Sequence, residues 1–376
     1  MRRLMTMIAA VALAAATARA GVLSVPDDYT PGKSWPVIVS LQDNPDPALT
    51  KKSPYFSVHA GGKGVECSLK IHSELKSLIA RYNIDPLRIY GTGFSRGGHE
   101  LLEQTWQYPH IFAAIIPVCN DLRTEPKVFN VKYIRNTPTL LMHGNGDSFR
   151  VTGQRLHSLM TEAGIEVPWQ TYPGGHSPAK PFKEDLSLLT KFYEKHAMNT
   201  HPKEVTHVVF HPRYARAFWV DSALVERFGE TATKPAAAPA GTAPAASAPA
   251  SKSAAAAVEG TFQKAYFDKS GVFTVRVKEG NRIEVEANEW IQSLDLYLTD
   301  KLVDMSKPVK VVMGAKTLFE GPAAAPVKVV LSQEAEWKMP RVRPLWEELV
   351  EIQKKTEYKP LAATQPATQS QPAAAK

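Results

Sequence analysis

From about residue 22 to 200 the chain alternates short apolar runs with segments of helical periodicity, and that alternation leaves few architectures open. PVIVSL (36–41) is apolar with almost no polar break, as a strand buried on both faces must be. PYFSVHA (54–60) reads as a second strand, and SLKIHSELKSLIARY (68–82) then carries apolar residues at helical spacing. LRIYGTG (87–93) is a strand that runs directly into a helix, GGHELLEQTWQY; FAAIIPV (112–118) and PTLLMHG (138–144) are further strands. TGQRLHSLMTEAG is a helix closed by Gly164, PWQTYP a strand, and PFKEDLSLLTKFYEKHA a last helix. Strands separated by helices are joined by crossovers, so residues 21–200 predict an α/β fold: a mainly parallel sheet with helices on both faces.

The pattern changes near residue 204. HVVF, RAFWV, KAYF, VFTVRV, RIEVEA, SLDLYL, VKVVM, KTLF and VKVVL are short, rich in β-branched and aromatic residues, and separated by turn formers. They predict a small antiparallel β domain over 204–342, accessory to the first unit. An Ala/Pro tract at 232–258 interrupts it and has almost nothing to bury, so it reads as a disordered insertion. Residues 343–376 read as a short amphipathic helix, PLWEELVEIQKK, and a disordered Ala/Pro/Gln tail. Trp219, Trp290 and Trp337 are candidates to stack on a polysaccharide or another surface, but at strand spacing a tryptophan is more often core.

Residues 1–20, MRRLMTMIAAVALAAATARA, have the form of a signal peptide. Arg2 and Arg3 precede an apolar run too short to span a bilayer, and Ala18-Arg19-Ala20 is a small-x-small cleavage site. The expectation is a bacterial protein, secreted or periplasmic, with no membrane span. The formal net charge of +8 comes from scattered Lys and Arg rather than a basic run, which argues against a nucleic-acid partner. Cys67 and Cys119 make neither a disulfide framework nor a metal-site spacing; a bond between them stays open, with two buried thiols the simpler reading. No cofactor and no metal is expected.

Gly93-Phe94-Ser95-Arg96-Gly97 fits G-x-S-x-G between a predicted strand and a predicted helix, where a nucleophile elbow belongs. A serine hydroxyl needs a histidine to take its proton and a carboxylate to orient that histidine. LLMHGNGDSF places Asp147 after the strand 138–144, and TYPGGHSP places His176 after the strand 168–172. The candidate triad is therefore Ser95, Asp147 and His176, in the chain order this elbow motif takes, each at the carboxyl end of a strand. His143 is expected to pack near the acid loop, and His59 and His99 are candidates to line the cleft.

IDPLRIYGTGFSRGG, PTLLMHGNGD and YPGGHS resemble the secreted α/β-hydrolases. That superfamily includes polyhydroxybutyrate-depolymerase-like and feruloyl-type esterases and the catalytic domains of the prolyl oligopeptidase family. VPDDYTPGKSWPVIVSL resembles their first strand, and the resemblance covers about residues 22–200. It implies acyl transfer through an acyl-enzyme, with the Arg96 N–H as one oxyanion donor. Such enzymes usually carry His-Gly after the first strand, where this chain has Gln42-Asp43-Asn44. The second oxyanion donor would then come from Gln42 or Asp43, and a carboxylate there is unfavourable beside a developing oxyanion. With only a short connection between strands 112–118 and 138–144 and no propeller before residue 22, an ester on a small or polymer-linked carrier is the expected substrate. A serine peptidase of prolyl-oligopeptidase type is the alternative. A binding protein on a catalytically impaired hydrolase scaffold is the third.

Overall fold

A computed structural model describes residues 22–41, 55–61, 64–120, 131–177, 187–209, 214–227, 270–323, 326–337 and 343–358. The first unit is built on strands β1 (Val22–Ser24), β2 (Trp35–Ser40), β3 (Phe56–His59), β4 (Ile84–Phe94), β5 (Ala114–Val118), β6 (Leu141–Gly144) and β7 (Trp169–Tyr172). They form one sheet in the order β1-β3-β2-β4-β5-β6-β7. Only the edge pair β1–β3 is antiparallel; the remaining neighbours are parallel.

Successive residues of these strands face opposite sides, and both sides are covered. Val37, Val39, Ile89, Ile115 and Leu141 belong to one core, with side chains from α1 (Gly64–Ile79), α2 (Arg96–Gln107) and α3 (Arg150–Glu162). Ile38, Tyr90, Ile116 and Met142 belong to the other, with Leu189 and Tyr193 of α4 (Ser187–Tyr193). Tyr193 stacks on Tyr90 at 4.5 Å between centroids and donates from its hydroxyl to Gly91 O at 2.7 Å. In-register pairing of Phe94 with Val118 and of Gly144 with Tyr172 brings the carboxyl ends of β4 to β7 onto one edge.

The second unit comprises β8 (Glu204–Val209), β9 (Arg216–Ala217), β10 (Val220–Leu224), β11 (Gly271–Lys278), β12 (Arg282–Ala287), β13 (Ile291–Leu296), β14 (Pro308–Met313), β15 (Lys316–Pro322) and β16 (Val327–Val330). They make a four-stranded sheet, β16-β13-β10-β9, and a five-stranded one, β15-β14-β12-β11-β8, whose apolar residues share one core. Two sequence expectations are corrected here, and for Trp219 the core reading holds. RAFWV is not one strand: Phe218 takes φ 54° and turns the chain between β9 and β10. The unit is not wholly antiparallel, because β13 lies in the opposite sheet and the chain returns from it to pair β14 parallel to β12. Trp219 is not available to a sugar; it is 2% exposed, and its Nε1–H donates to Pro202 O at 2.8 Å.

Helix α5 (Leu345–Lys355) follows and packs back on α1. Leu345 and Leu349 are buried in the same core as α1, α2 and α3, and so are Val208 and Tyr214 from the second unit. Gln353 Nε2 donates to Asn83 Oδ1 at 2.9 Å and Ile84 O at 2.8 Å, and Lys76 pairs with Glu348. Cys67 and Cys119 are free and buried. Residues 1–20, the strand KAYF, the tract 232–258 and the tail beyond 358 lie outside the described residues. Among the described residues no helix is long and apolar enough to cross a membrane.

Candidate active site

Ser95 sits between the last residue of β4 and the first of α2, with φ 53° and ψ −114°. A side chain at positive φ strains the backbone by about 1–3 kcal/mol, so the surroundings must hold it there. The Ser95 N–H donates to Val118 O at 2.8 Å, tying the turn to β5. Gly93 makes the turn possible: a Cβ there would fall on the Gly97 carbonyl and lie 2.8 Å from Gly98 N. The turn leaves Ser95 half-buried on the carboxyl edge, directly beside His176.

His176 Nε2 lies 2.9 Å from Ser95 Oγ, and His176 Nδ1 lies 2.9 Å from Asp147 Oδ1. The His176 ring packs between Phe94 and Phe149, with both centroids at 4.9 Å. Asp147 is buried while His176 remains partly open to solvent. Burial alone would raise the Asp147 carboxyl; hydrogen bonds from Cys119, the Phe149 N–H, His176 and His143 outweigh it and bring it down to about 2. It is thus an anion at neutral pH. A hydroxyl, an imidazole and a buried carboxylate at these distances allow a proton to pass from oxygen to ring.

These distances follow from the sheet. β4 delivers Ser95, β6 delivers Asp147 and β7 delivers His176, with β5 between the serine strand and the acid strand. A parallel sheet with an antiparallel edge strand, helices on both faces and a strained serine on a strand-to-helix turn is a defined architecture. The chain has the α/β-hydrolase fold.

On this α/β-hydrolase scaffold Arg96 opens α2 and is exposed. Gln42 and Asp43 lie outside the described residues, which stop at Leu41 on that side. His99 stands on α2 within 3.2 Å of Glu103, and His59 ends β3 half-buried. His143 lies against the acid loop, Nδ1 2.9 Å from Asp147 Oδ2. Sequence reasoning missed the end of β5. Cys119 Sγ lies 2.9 Å from the Tyr172 hydroxyl and close to Asp147, and Asn120 Oδ1 is 3.2 Å from His143 Nε2. Burial first, then the Asp147 carboxylate, pushes the Cys119 thiol up to about 12, so it stays protonated. The available signal was topological: a strand between the serine strand and the acid strand must end at the site.

No protein-family model matches the chain, and no curated protein sequence matches it. Among solved structures it is similar to a thermostable esterase, at 20% identity and a TM-score of 0.38 over 46% of this chain and 58% of that one. It is similar to a ferulic acid esterase at 16% identity and a TM-score of 0.34, over 43% of this chain and 86% of that one. A dipeptidyl peptidase 4 from Porphyromonas gingivalis is similar at 17% identity and a TM-score of 0.34, over 46% of this chain and 32% of that one. Likeness this distant says nothing about substrate.

Proposed function

We propose that the protein is an exported serine hydrolase that cleaves carboxylic esters through an acyl-enzyme. The reading is carried by the continuous path from Ser95 Oγ through His176 to buried, ionised Asp147, at 2.9 Å for each step. His176 takes the Ser95 proton as Oγ attacks the ester carbonyl, then gives it to the departing alcohol; water, activated by the same ring, releases the acid. Asp147 holds the ring with Nε2 turned to Ser95. The Arg96 N–H, at the start of α2, supplies one oxyanion donor, and the backbone at Gln42 or Asp43 supplies the other. The chemistry calls for no cofactor.

The substrate is a small-molecule or polymer-linked ester. Ser95 is half-buried and His176 exposed at the carboxyl edge, which suits an acyl group on a bulky carrier. Esters carry a better leaving group than amides, so a serine triad without a specialised leaving-group site turns esters over faster. The test is a comparison of short-acyl and aryl esters with proline anilides and unstructured peptides. The expected result is clear ester turnover and little amide cleavage, both absent in Ser95→Ala. Efficient peptide cleavage with ester turnover only incidental would make the protein a peptidase.

A further inference from the structure

The triad does not account for everything bound to Asp147. Its Oδ1 accepts from the Phe149 N–H at 3.0 Å and from His176, whereas its Oδ2 faces a second imidazole, that of His143. His143 lies in β6 and is fully buried, and its ring is stacked on Trp169 of β7 at 5.1 Å and 13°. We infer that His143 is a positioning residue, which with Asn120 and Gly153 clamps Oδ2 of Asp147 so that Oδ1 stays directed at His176. This rests on the hydrolytic reading above.

Proton counting supports the clamp. Burial pushes His143 down, so the ring is neutral and carries one N–H. An ionised carboxylate only accepts, so that proton sits on Nδ1 and Nε2 is left as an acceptor. Asn120 faces Nε2, and its Nδ2 has no hydrogen-bond partner. Turning the amide by 180° presents Nδ2–H to His143 Nε2 and gives both groups a partner. The donors then run in one direction, from Asn120 to His143 to Asp147 Oδ2.

Helix α3 leaves room for the arrangement. A Cβ at Gly153 would fall on His143 Nε2, so the helix carries a glycine there despite its cost of about 1 kcal/mol in a helix interior. The titratable and charged groups around the clamp are His176 from the loop after β7, Cys119 from the end of β5, Tyr172 at the end of β7 and Arg150 at the start of α3. Of these, the Cys119 thiol also hydrogen-bonds the Asp147 carboxylate, so in His143→Phe that contact and the Phe149 N–H remain, and the variant reads the loss of the His143 N–H alone.

The test uses the full chain and four variants: Ser95→Ala, His143→Phe, His143→Asn and His143→Gln. Fluorophosphonate labelling of wild type but not of Ser95→Ala tests the hydrolytic reading separately; no labelling of wild type overturns that reading and this inference with it. His143→Phe should lower kcat by about 10- to 100-fold with KM little changed, the worth of one hydrogen bond to a charged group. The acid limb of its kcat/KM profile should move up, because a carboxylate that has lost its Oδ2 donor holds the doubly protonated ring more strongly. His143→Asn, whose amide reaches the place of Nδ1, should recover most of the rate and return the limb. His143→Gln, whose amide reaches only toward Asn120, should behave like His143→Phe; should the phenylalanine variant fail to fold, the Asn–Gln pair decides. A purely structural role would scale activity with the folded fraction and leave the limb in place. Equal kcat and an unmoved limb in folded His143→Phe, or Gln matching wild type, overturns the inference while the Ser95 labelling stands.

Discussion

Four non-glycine residues take positive φ among those described, and they divide evenly between the two units. Phe218 and Asn281 lie in the second unit, in the short turns between β9 and β10 and between β11 and β12. There the left-handed backbone serves topology, since a tight connection between antiparallel neighbours requires it. Ser95 and Cys119 lie in the first unit, where β4 and β5 end on the carboxyl edge. No hairpin is being closed at either place. Strain there aims side chains, and the side chains beside it are Asp147, His143 and His176. Similar positive φ angles thus serve different ends, and the polar groups around them decide which.

The sharpest way to break this comparison is to change each kind of residue and read rate and stability separately. Ser95→Ala should lower ester turnover by about 10⁶-fold with thermal stability nearly unchanged. Asp147→Asn should lower it by about 10⁴-fold, through loss of the imidazole orientation. Trp219→Ala should do the reverse: it should destabilise the protein by about 3–5 kcal/mol in denaturant unfolding and leave the kcat of the folded fraction intact. If Ser95→Ala also unfolds the protein, or Trp219→Ala lowers kcat in folded protein, the division between the units is wrong.

Leu349→Ala tests where the first unit ends. Leu349 is 1% exposed in the core formed with α1, so its truncation should cost about 2–5 kcal/mol and soften the hydrolase sheet rather than the sandwich. Hydrogen exchange in α1 and β4, faster in the variant, is the check. A chain ending at Asn199 would expose the surface that Leu345, Leu349, Val208 and Tyr214 cover, and should be poorly soluble.

A smaller effect, shared by both units, is set by pH. His207, buried in β8, is brought by burial down to about 4, and His110 is likewise pushed down by burial. The folded state then binds fewer protons than the unfolded one between pH 4 and about 6.5, so stability is full above that window and falls as pH drops through it. Asp147 acts in a lower window: its contribution is present above the usual carboxylate range and is lost only as pH falls toward about 2. The unfolding midpoint should therefore decline from about pH 6.5 to 4. His207→Phe should reduce that slope, leaving the part due to His110 and His143, without moving the activity profile.

Much of the parallel sheet is legible in the sequence because strands buried on both faces are written as unbroken apolar runs, and PVIVSL and FAAIIPV mark their strands to within two residues. The serine turn is legible from its neighbours, since glycines on both sides of a serine between an apolar run and a helical segment mark a tight strand-to-helix connection. The strand β1 is not, because three edge residues with one neighbour need no pattern. The Phe218 turn is hidden because no glycine, asparagine or proline announces it. The parallel pairing of β12 with β14 and the contact of Asn120 with His143 join residues distant in sequence, and only the sheet order brings them together. The chemistry of each residue type is local; its partners depend on topology.

The most direct test of the central claim is the intact mass of the full chain after exposure to a fluorophosphonate, followed by mapping of the modified peptide. The account predicts one adduct per chain, located on Ser95, formed faster as pH rises from about 6 to 8 and absent from Ser95→Ala. An unmodified wild-type chain, or an adduct of equal yield on Ser95→Ala, would contradict it.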